Sequence, residues 1–526
     1  MERLRQAVLA CSADMAPPAL LELLKGHGDI EETRRDTGPV VVYDTFDWRL
    51  YRRKTLALGS ATALNLFSFA GEPLGSLAAP GGKRMFWWDA PASAPRDLLK
   101  EVIDVRALLP MNRLHREIRS FRVLNEDRKT VVRLALRSDV PTAATGADLD
   151  LSTMVVITEL RGYQSAYEKL VRHCAEVGLT ELDSSRWLAD RVYARAARTP
   201  LDYGDKFRVD LDCRIGATQA IAAIGLHLLA EMETNRAGVY DDIDTEFLHD
   251  FRIAIRRTRS MLGLLKKQIP ARQGTHFRKE FKWIGGVTGP LRDTDVYLLE
   301  KRVYLDMLPD GLRSGLDGFF QELEQRRLKE LKLVRRYLSS RRFANLLNDW
   351  REFLGGEDSE LFAASLKKPC RRLADRIIRK RFNSFLRGGA AITDTSPDSE
   401  LHRLRIEGKK LRYLFEFFRS LYDEKILDQF IKQMKKVQDN LGEFNDLSVQ
   451  EHLLSARLAG LSGKGRATVR QAAALGGLIT VLAARRRRLR ADFAALYGAF
   501  SAAENVELIK QLTQSPCQQA EEPSSA

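Results

Sequence analysis

His249 opens the stretch HDFRIAIRRTRSMLGLL, and 153 residues further on His402 opens HRLRIEGKKLRYLFEFF, with cations at matching offsets. On a helix advancing 100° per residue, His249, Arg252, Arg256 and Arg259 fall within about 80° of one another, opposite Phe251, Ala254, Ile255, Leu262 and Leu265. The second copy places His402, Arg405, Lys409 and Arg412 opposite Leu404, Leu411, Leu414, Phe415 and Phe418. Lys279 and Lys282, three apart, and their counterparts Lys432 and Lys435 offer a second stripe in each copy. A face that serves solubility alone mixes signs, because like charges a helical turn apart repel by a few tenths of a kcal/mol. A row of one sign is explained when an anion compensates it, since guanidinium forks and ammonium groups form charge-assisted hydrogen bonds to phosphate oxygens. The candidate anion-binding residues are therefore His249, Arg252, Arg256, Arg257, Arg259, Lys279 and Lys282, with His402, Arg405, Lys409, Lys410, Arg412, Lys432 and Lys435.

A histidine beside several cations favours its neutral form in an empty site and its charged form beside a polyanion, which predicts tighter binding at mildly acidic pH. Neither histidine has a second His or Cys at ligand spacing, so no metal is assigned. GPLRDTDV (289–296) and GEFNDL (442–447) bring Asp293, Asp295 and Asp446 near the stripes. Helix caps or salt bridges that orient the cations are the expected role, with metal binding the lesser alternative. RRRRLR at 485–490 reads as a solvated helix face, and RIIRKRF at 376–382 as either solvated or anion-facing.

The elements that must carry these stripes are helices. Position n against n+153 also pairs Phe277 with Phe430, Gly289 with Gly442 and Asp293 with Asp446 without a gap, so two copies of one helical unit are expected. From about residue 206 amphipathic segments follow one another, roughly ten in all, parted by Gly- and Asp-bearing loops. The first 200 residues differ: PVVVYDTFDWRLYRR, KTVVRLALRSD and STMVVITELRGY have strand character, and SAYEKLVRHCAEVGL has helical spacing. The expected class is α+β, an antiparallel β domain over 1–200 followed by an all-α domain over 206–505 with repeats at about 206–355 and 356–505. The polar stretch 510–526 is expected to be a disordered tail.

Charge follows the same division. The chain of 526 residues carries a net +15, which favours polyanionic partners. Residues 1–200 hold 29 Lys and Arg against 26 Asp and Glu, leaving 56 against 44 for the remainder, so the helical part is the expected anion binder. Five scattered cysteines, none at CxxC spacing, predict neither a disulfide framework nor a zinc site and fit a reducing compartment. No run of eighteen apolar residues stands out, so the expectation is a soluble cytoplasmic protein with no membrane partner.

The repeated H-x-x-R-x-x-x-[RK]-[RK]-x-R, followed about forty residues on by GPLRDTD and GEFNDL, resembles the CHAD family, the conserved-histidine α-helical domain, over roughly 206–500. The resemblance implies two pseudo-symmetric helical bundles whose basic helices line a central groove, and binding of inorganic polyphosphate by the residues named above. The stretches VYDTFDWRLYRRKTLAL, VVRLALR and VVITELRGY resemble the CYTH, or triphosphate tunnel, family, which implies a β tunnel or barrel-like domain. That family holds metal and triphosphate with an E-x-E-x-K strand near its start. Here RLRQAVLACSA (3–13) has neither the alternating glutamates nor the lysine, Glu159 is kept, and Arg133 stands where acid would be useful. Metal-assisted hydrolysis needs converging carboxylates. The expected function is thus non-catalytic polyphosphate binding without cofactor, on polyphosphate granules. A metal-dependent triphosphatase or polyphosphatase in the first domain is the alternative, and nucleic-acid binding the second. Against the latter, the stripes lack aromatic residues for stacking on bases, so no specific nucleic acid is expected; a homodimer is left open.

Overall fold

The computed structural model describes residues 5–11, 17–24, 28–80, 84–141, 153–183, 185–193, 196, 198–204, 207–355, 360–363, 369–463 and 465–514. The chain divides into two units, Met1–Asp205 and Lys206–Ala526.

Unit 1 is built on the strands β1 (Gln6–Ala10), β2 (Asp29–Thr45), β3 (Thr55–Gly59), β4 (Ala63–Ser68), β5 (Pro73–Ala78), β6 (Leu108–Leu124), β7 (Thr130–Pro141), β8 (Met154–Glu159) and β9 (Thr180–Glu181). They form one antiparallel sheet in the order β5-β4-β3-β2-β6-β7-β8-β1-β9. Its helices are α1 (Pro17–Leu24), α2 (Arg49–Arg52), α3 (Ala94–Ile103), α4 (Gln164–Glu176) and α5 (Trp187–Tyr193). The antiparallel sheet is as expected; among the described residues its ladder ends at β5 and β9 and does not close into a tunnel or barrel.

The unbroken apolar run of β8 reads as a strand covered on both faces. Val155 and Ile157 pack with Ala7, Leu9 and Leu170 of α4 on one side. On the other, Met154 and Val156 join Val8, Val42 and Trp48, together with Trp187 and Val192 of α5. The strand standing where the tunnel family has its glutamates and lysine, β1, is thus an apolar strand inside a core. Among the buried polar groups of this unit is Asp139, fully buried, which accepts from Arg116 Nε at 2.5 Å and Arg137 Nε at 2.7 Å. Against the upward push of burial, Arg137 and Arg116 hold this carboxyl below the usual range.

Unit 2 is helical: α6 (Ala217–Asp241), α7 (Thr245–Leu264), α8 (Ala271–Val287), α9 (Gly289–Leu299), α10 (Lys301–Asp306), α11 (Asp310–Arg313), α12 (Asp317–Leu338), α13 (Arg341–Gly355), α14 (Glu360–Ala363), α15 (Cys370–Ala390), α16 (Asp398–Phe417), α17 (Glu424–Ala459), α18 (Arg466–Phe500) and α19 (Ala503–Gln514). There are more helices than the roughly ten expected, because short pieces such as α10, α11 and α14 carry too little periodicity to be seen in sequence. The repeat governs their boundaries. The first residues of α6, α7 and α8 precede those of α15, α16 and α17 by 153 positions, and the last residues of α7 and α10 precede those of α16 and α17 by the same number.

The copies differ at one place. The single helix α17 corresponds to three pieces, α8, α9 and α10. Pro290 stands at the first break, where the second copy has Glu443. Proline lacks the backbone donor and its ring clashes with the carbonyl four residues earlier, so α8 stops and α9 restarts at Gly289. Thr288 at the junction is fully buried.

Aromatic residues pack the second copy closely. A Cβ on Gly389 in α15 would lie 2.0 Å from the Tyr497 ring, which packs against Phe385, Phe493 and Phe500. Gly389→Ala is therefore expected to destabilise the protein by about 2 kcal/mol, read as a lowered thermal midpoint; an unchanged midpoint would show that α15 and α18 can part freely.

Three sequence expectations need amendment. Residues 510–514 belong to α19, where Leu512 and Thr513 are buried, so the expected tail is helical at its start; residues 515–526 lie outside the described residues. Cys11, Cys174 and Cys370 are free and buried, but Cys213 is disulfide-bonded, which scattered spacing does not foretell. Helix α18 is long and apolar enough to cross a membrane by length and composition; here Leu475, Leu478 and Leu482 pack in a core with Tyr304, Phe320 and Leu454.

Candidate anion site

Helix α7 is started by Asp244, whose carboxylate accepts from the backbone N–H groups of Glu246 and Phe247. Its face of Phe251, Ala254, Ile255 and Leu262 is buried, as is Leu265 beyond it. In α16 the matching face, Leu404, Leu411, Leu414 and Phe415, is buried too, with Phe418 beyond it. Burying these faces turns the basic stripes of both copies outward from the core.

The stripe cations then sort by what they touch. Arg252 points inward at the break made by Pro290, donating from Nη1 to Gly285 O at 2.8 Å and Thr288 Oγ1 at 2.9 Å. Burial holds its guanidinium below the usual range. Arg257 is buried, donates from Nε to Glu416 Oε2 at 3.0 Å and lies over the Phe207 ring. Arg412 donates to the other oxygen of Glu416 at 2.8 Å, so one carboxylate ties α7 of the first copy to α16 of the second. Lys410 and Arg381 of α15 share Glu407, at 2.6 and 2.9 Å. Arg405 reaches Asp446 at 3.2 Å, and His402 pairs with Asn445, which itself donates to Asp446.

Four further cations gather at one place. Among the described residues the side chains of Arg256, Arg259, Lys282 and Lys409 have no hydrogen bond or ion pair, and all four line one cavity of about 570 Å³. Arg256 and Arg259 come from the first copy, Lys409 from the second, and Lys282 from α8. The rest of the lining is cationic, through Arg278, Arg381 and Lys410, or apolar and uncharged, through Leu264, Ile406 and Tyr413, with no carboxylate. Burial, with Arg405 and Arg256 adding repulsion, pushes the Lys409 ammonium down to about 8.

Lys409 also lines a second cavity of about 530 Å³, on the α17 side, and this one is mixed in sign. There Arg405 and Arg412 face Asp439, Glu443 and Asp446, and Arg485 pairs with Glu443 at 2.5 Å. The structure thus brings Arg256, Arg259, Lys282, Lys409 and Lys410 to the first cavity, and Arg405, Lys409 and Arg412 to the second. His249, Arg252, Arg257, Lys279, His402, Lys432 and Lys435 line neither; Lys279, Lys432 and Lys435 are exposed on α8 and α17.

Arg278 and Arg381 were not among the candidates. Arg278 was visible as the residue one turn before Lys282, on the same face of α8. Arg381 lies in RIIRKRF, and only the packing of α15 against α16 brings it to the cavity. The acidic motifs act as salt bridges: Asp295 accepts from Arg327 at 2.6 Å and Asp446 from Arg405. RRRRLR is solvated only in part, with Arg485, Arg487 and Arg488 exposed. Arg486 and Arg490 both bond Asp398 in the first turn of α16, and Arg486 also bonds Glu451 at 2.7 Å.

A family model described as the CHAD domain matches residues 223–455, which run from within α6 to within α17 and contain both stripes. No curated protein matches the chain. Among solved structures, the CHAD domain from the plant Ricinus communis is 25% identical with a TM-score of 0.48, covering 57% of this chain and 97% of that one. PptA from Streptomyces chartreusis is 16% identical with a TM-score of 0.42, covering 54% of this chain and 99% of its own.

Proposed function

Residues 223–455 being a CHAD domain, we propose that the helical unit binds inorganic polyphosphate in the carboxylate-free cavity between α7 and α16, without hydrolysing it. One observation carries this reading: four cations from both copies, Arg256, Arg259, Lys282 and Lys409, meet there with no anionic partner. Holding such a set together is unfavourable until an anion arrives, and a linear phosphate polymer supplies repeated charge along the groove. Unit 1 serves as a scaffold or targeting module, since its strand β1, where the tunnel family carries its glutamates and lysine, is apolar and packed in a core. Association with polyphosphate granules follows from the binding.

The test is titration of the full chain with long-chain polyphosphate at several salt concentrations, with free phosphate measured in the same tubes in magnesium or manganese. Salt-dependent binding without phosphate release is the expected result. Release of phosphate would overturn the non-catalytic reading. Displacement of polyphosphate by duplex DNA, phosphate for phosphate, would overturn specificity for polyphosphate.

A further inference from the structure

Lys409 is where the two copies meet and where they differ in chemistry. Its counterpart in α7 is Arg256, and both line the carboxylate-free cavity. An arginine stays charged at any pH the protein meets, whereas a lysine can give up its proton when neighbours and burial favour the neutral form. Lys409 is half-buried with Arg405 one turn before it and Arg412 one turn after it on α16, Arg256 facing it from α7, and Lys282 in the same cavity from α8. Arg381 of α15 lines the first cavity and Arg485 of α18 the second, where Glu300 at the α9–α10 junction accepts from the Tyr304 hydroxyl and the facing carboxylates of α17 are Asp439, Glu443 and Asp446. Glu443 is engaged by Arg485 and Asp446 by Arg405; among the described residues, none of the three pairs with Lys409.

We propose that polyanion binding in this cavity takes up a proton at Lys409, so that the site grips its ligand at neutral pH and loosens as the solution becomes alkaline. This rests on the binding reading above and adds its regulation. The empty site holds Lys409 near a pKa of about 8, and a row of phosphates beside it returns the ammonium toward its ordinary range. The sign follows from linkage. The complex binds more protons than the free protein above pH 8, so affinity falls as pH rises through that range, by about tenfold between pH 7 and 9.

The experiment is calorimetric titration of the full chain with long-chain polyphosphate at pH 8, in two buffers of different ionisation enthalpy, repeated for K409R and K409Q. Wild type is expected to take up close to half a proton per site. K409R is expected to lose both the proton uptake at pH 8 and the tenfold decline between pH 7 and pH 9; K409Q, which has no cation at this position, is expected to bind at pH 7 more weakly than wild type does at pH 9, because the wild-type complex still holds its proton there. Binding with no buffer dependence, or K409R declining as wild type does, would overturn the proton linkage while leaving the binding reading intact. Absence of binding by wild type at pH 7 would overturn the binding reading itself.

Discussion

Arg256→Glu is expected to weaken binding of long-chain polyphosphate by about a hundredfold at physiological salt. Arg256 is exposed in the cavity and has no side-chain partner among the described residues, so its guanidinium is available to phosphate oxygens. A hydrogen bond to a charged group contributes about 1.5–3 kcal/mol. Reversal removes that bond and places a carboxylate among phosphates. Because binding of a polyanion releases condensed counterions, the slope of log affinity against log salt should also become shallower by about one to two. Lys432→Glu supplies the contrast: Lys432 is exposed on α17 and lines neither cavity, so its reversal should change affinity less than about threefold. Circular dichroism of both variants should match wild type. Equal losses in the two variants would mean that overall charge, and not the cavity, holds the polymer.

This division between cavity cations and outlying ones was only partly legible in the sequence. The register of 153 residues and the 3.6-residue periodicity located both basic helices and their buried faces, because those depend on local spacing alone. What each cation touches depends on elements far away in the chain. Arg252 and Arg405 occupy equivalent positions, but Pro290 breaks the first copy and draws Arg252 into the gap at Gly285 and Thr288. Arg405 meets an unbroken α17 and pairs with Asp446. Nothing in the spacing of Arg257 marks it as a strut, since its partner Glu416 lies 159 residues away. In unit 1 the missing glutamates and lysine of β1 were plain in the sequence. That β1 and β8 are covered on both faces was not, because Trp48 and α5 reach the second face through tertiary packing.

Loss of Glu416 should cost several kcal/mol in stability. It accepts from Arg257 on one oxygen and Arg412 on the other, joining the two copies. In Glu416→Ala the Arg257 guanidinium, whose side chain is 10% exposed, keeps the Phe207 ring and, as its carboxylate, Glu231 at 3.8 Å. A buried charge stripped of its partner is destabilising by several kcal/mol, because desolvation is no longer offset. With Glu231 giving partial relief, a loss of about 3 kcal/mol is expected, read from the urea midpoint of the transition that reports helix content. Adding Arg257→Met removes the stranded charge and keeps the volume, so the double variant should recover most of the loss. Recovery distinguishes an unpaired charge from a simple packing defect, which Met at 257 would not repair. Neither Arg257 nor Arg412 lines the carboxylate-free cavity, so the double variant should bind polyphosphate about as tightly as wild type while remaining folded.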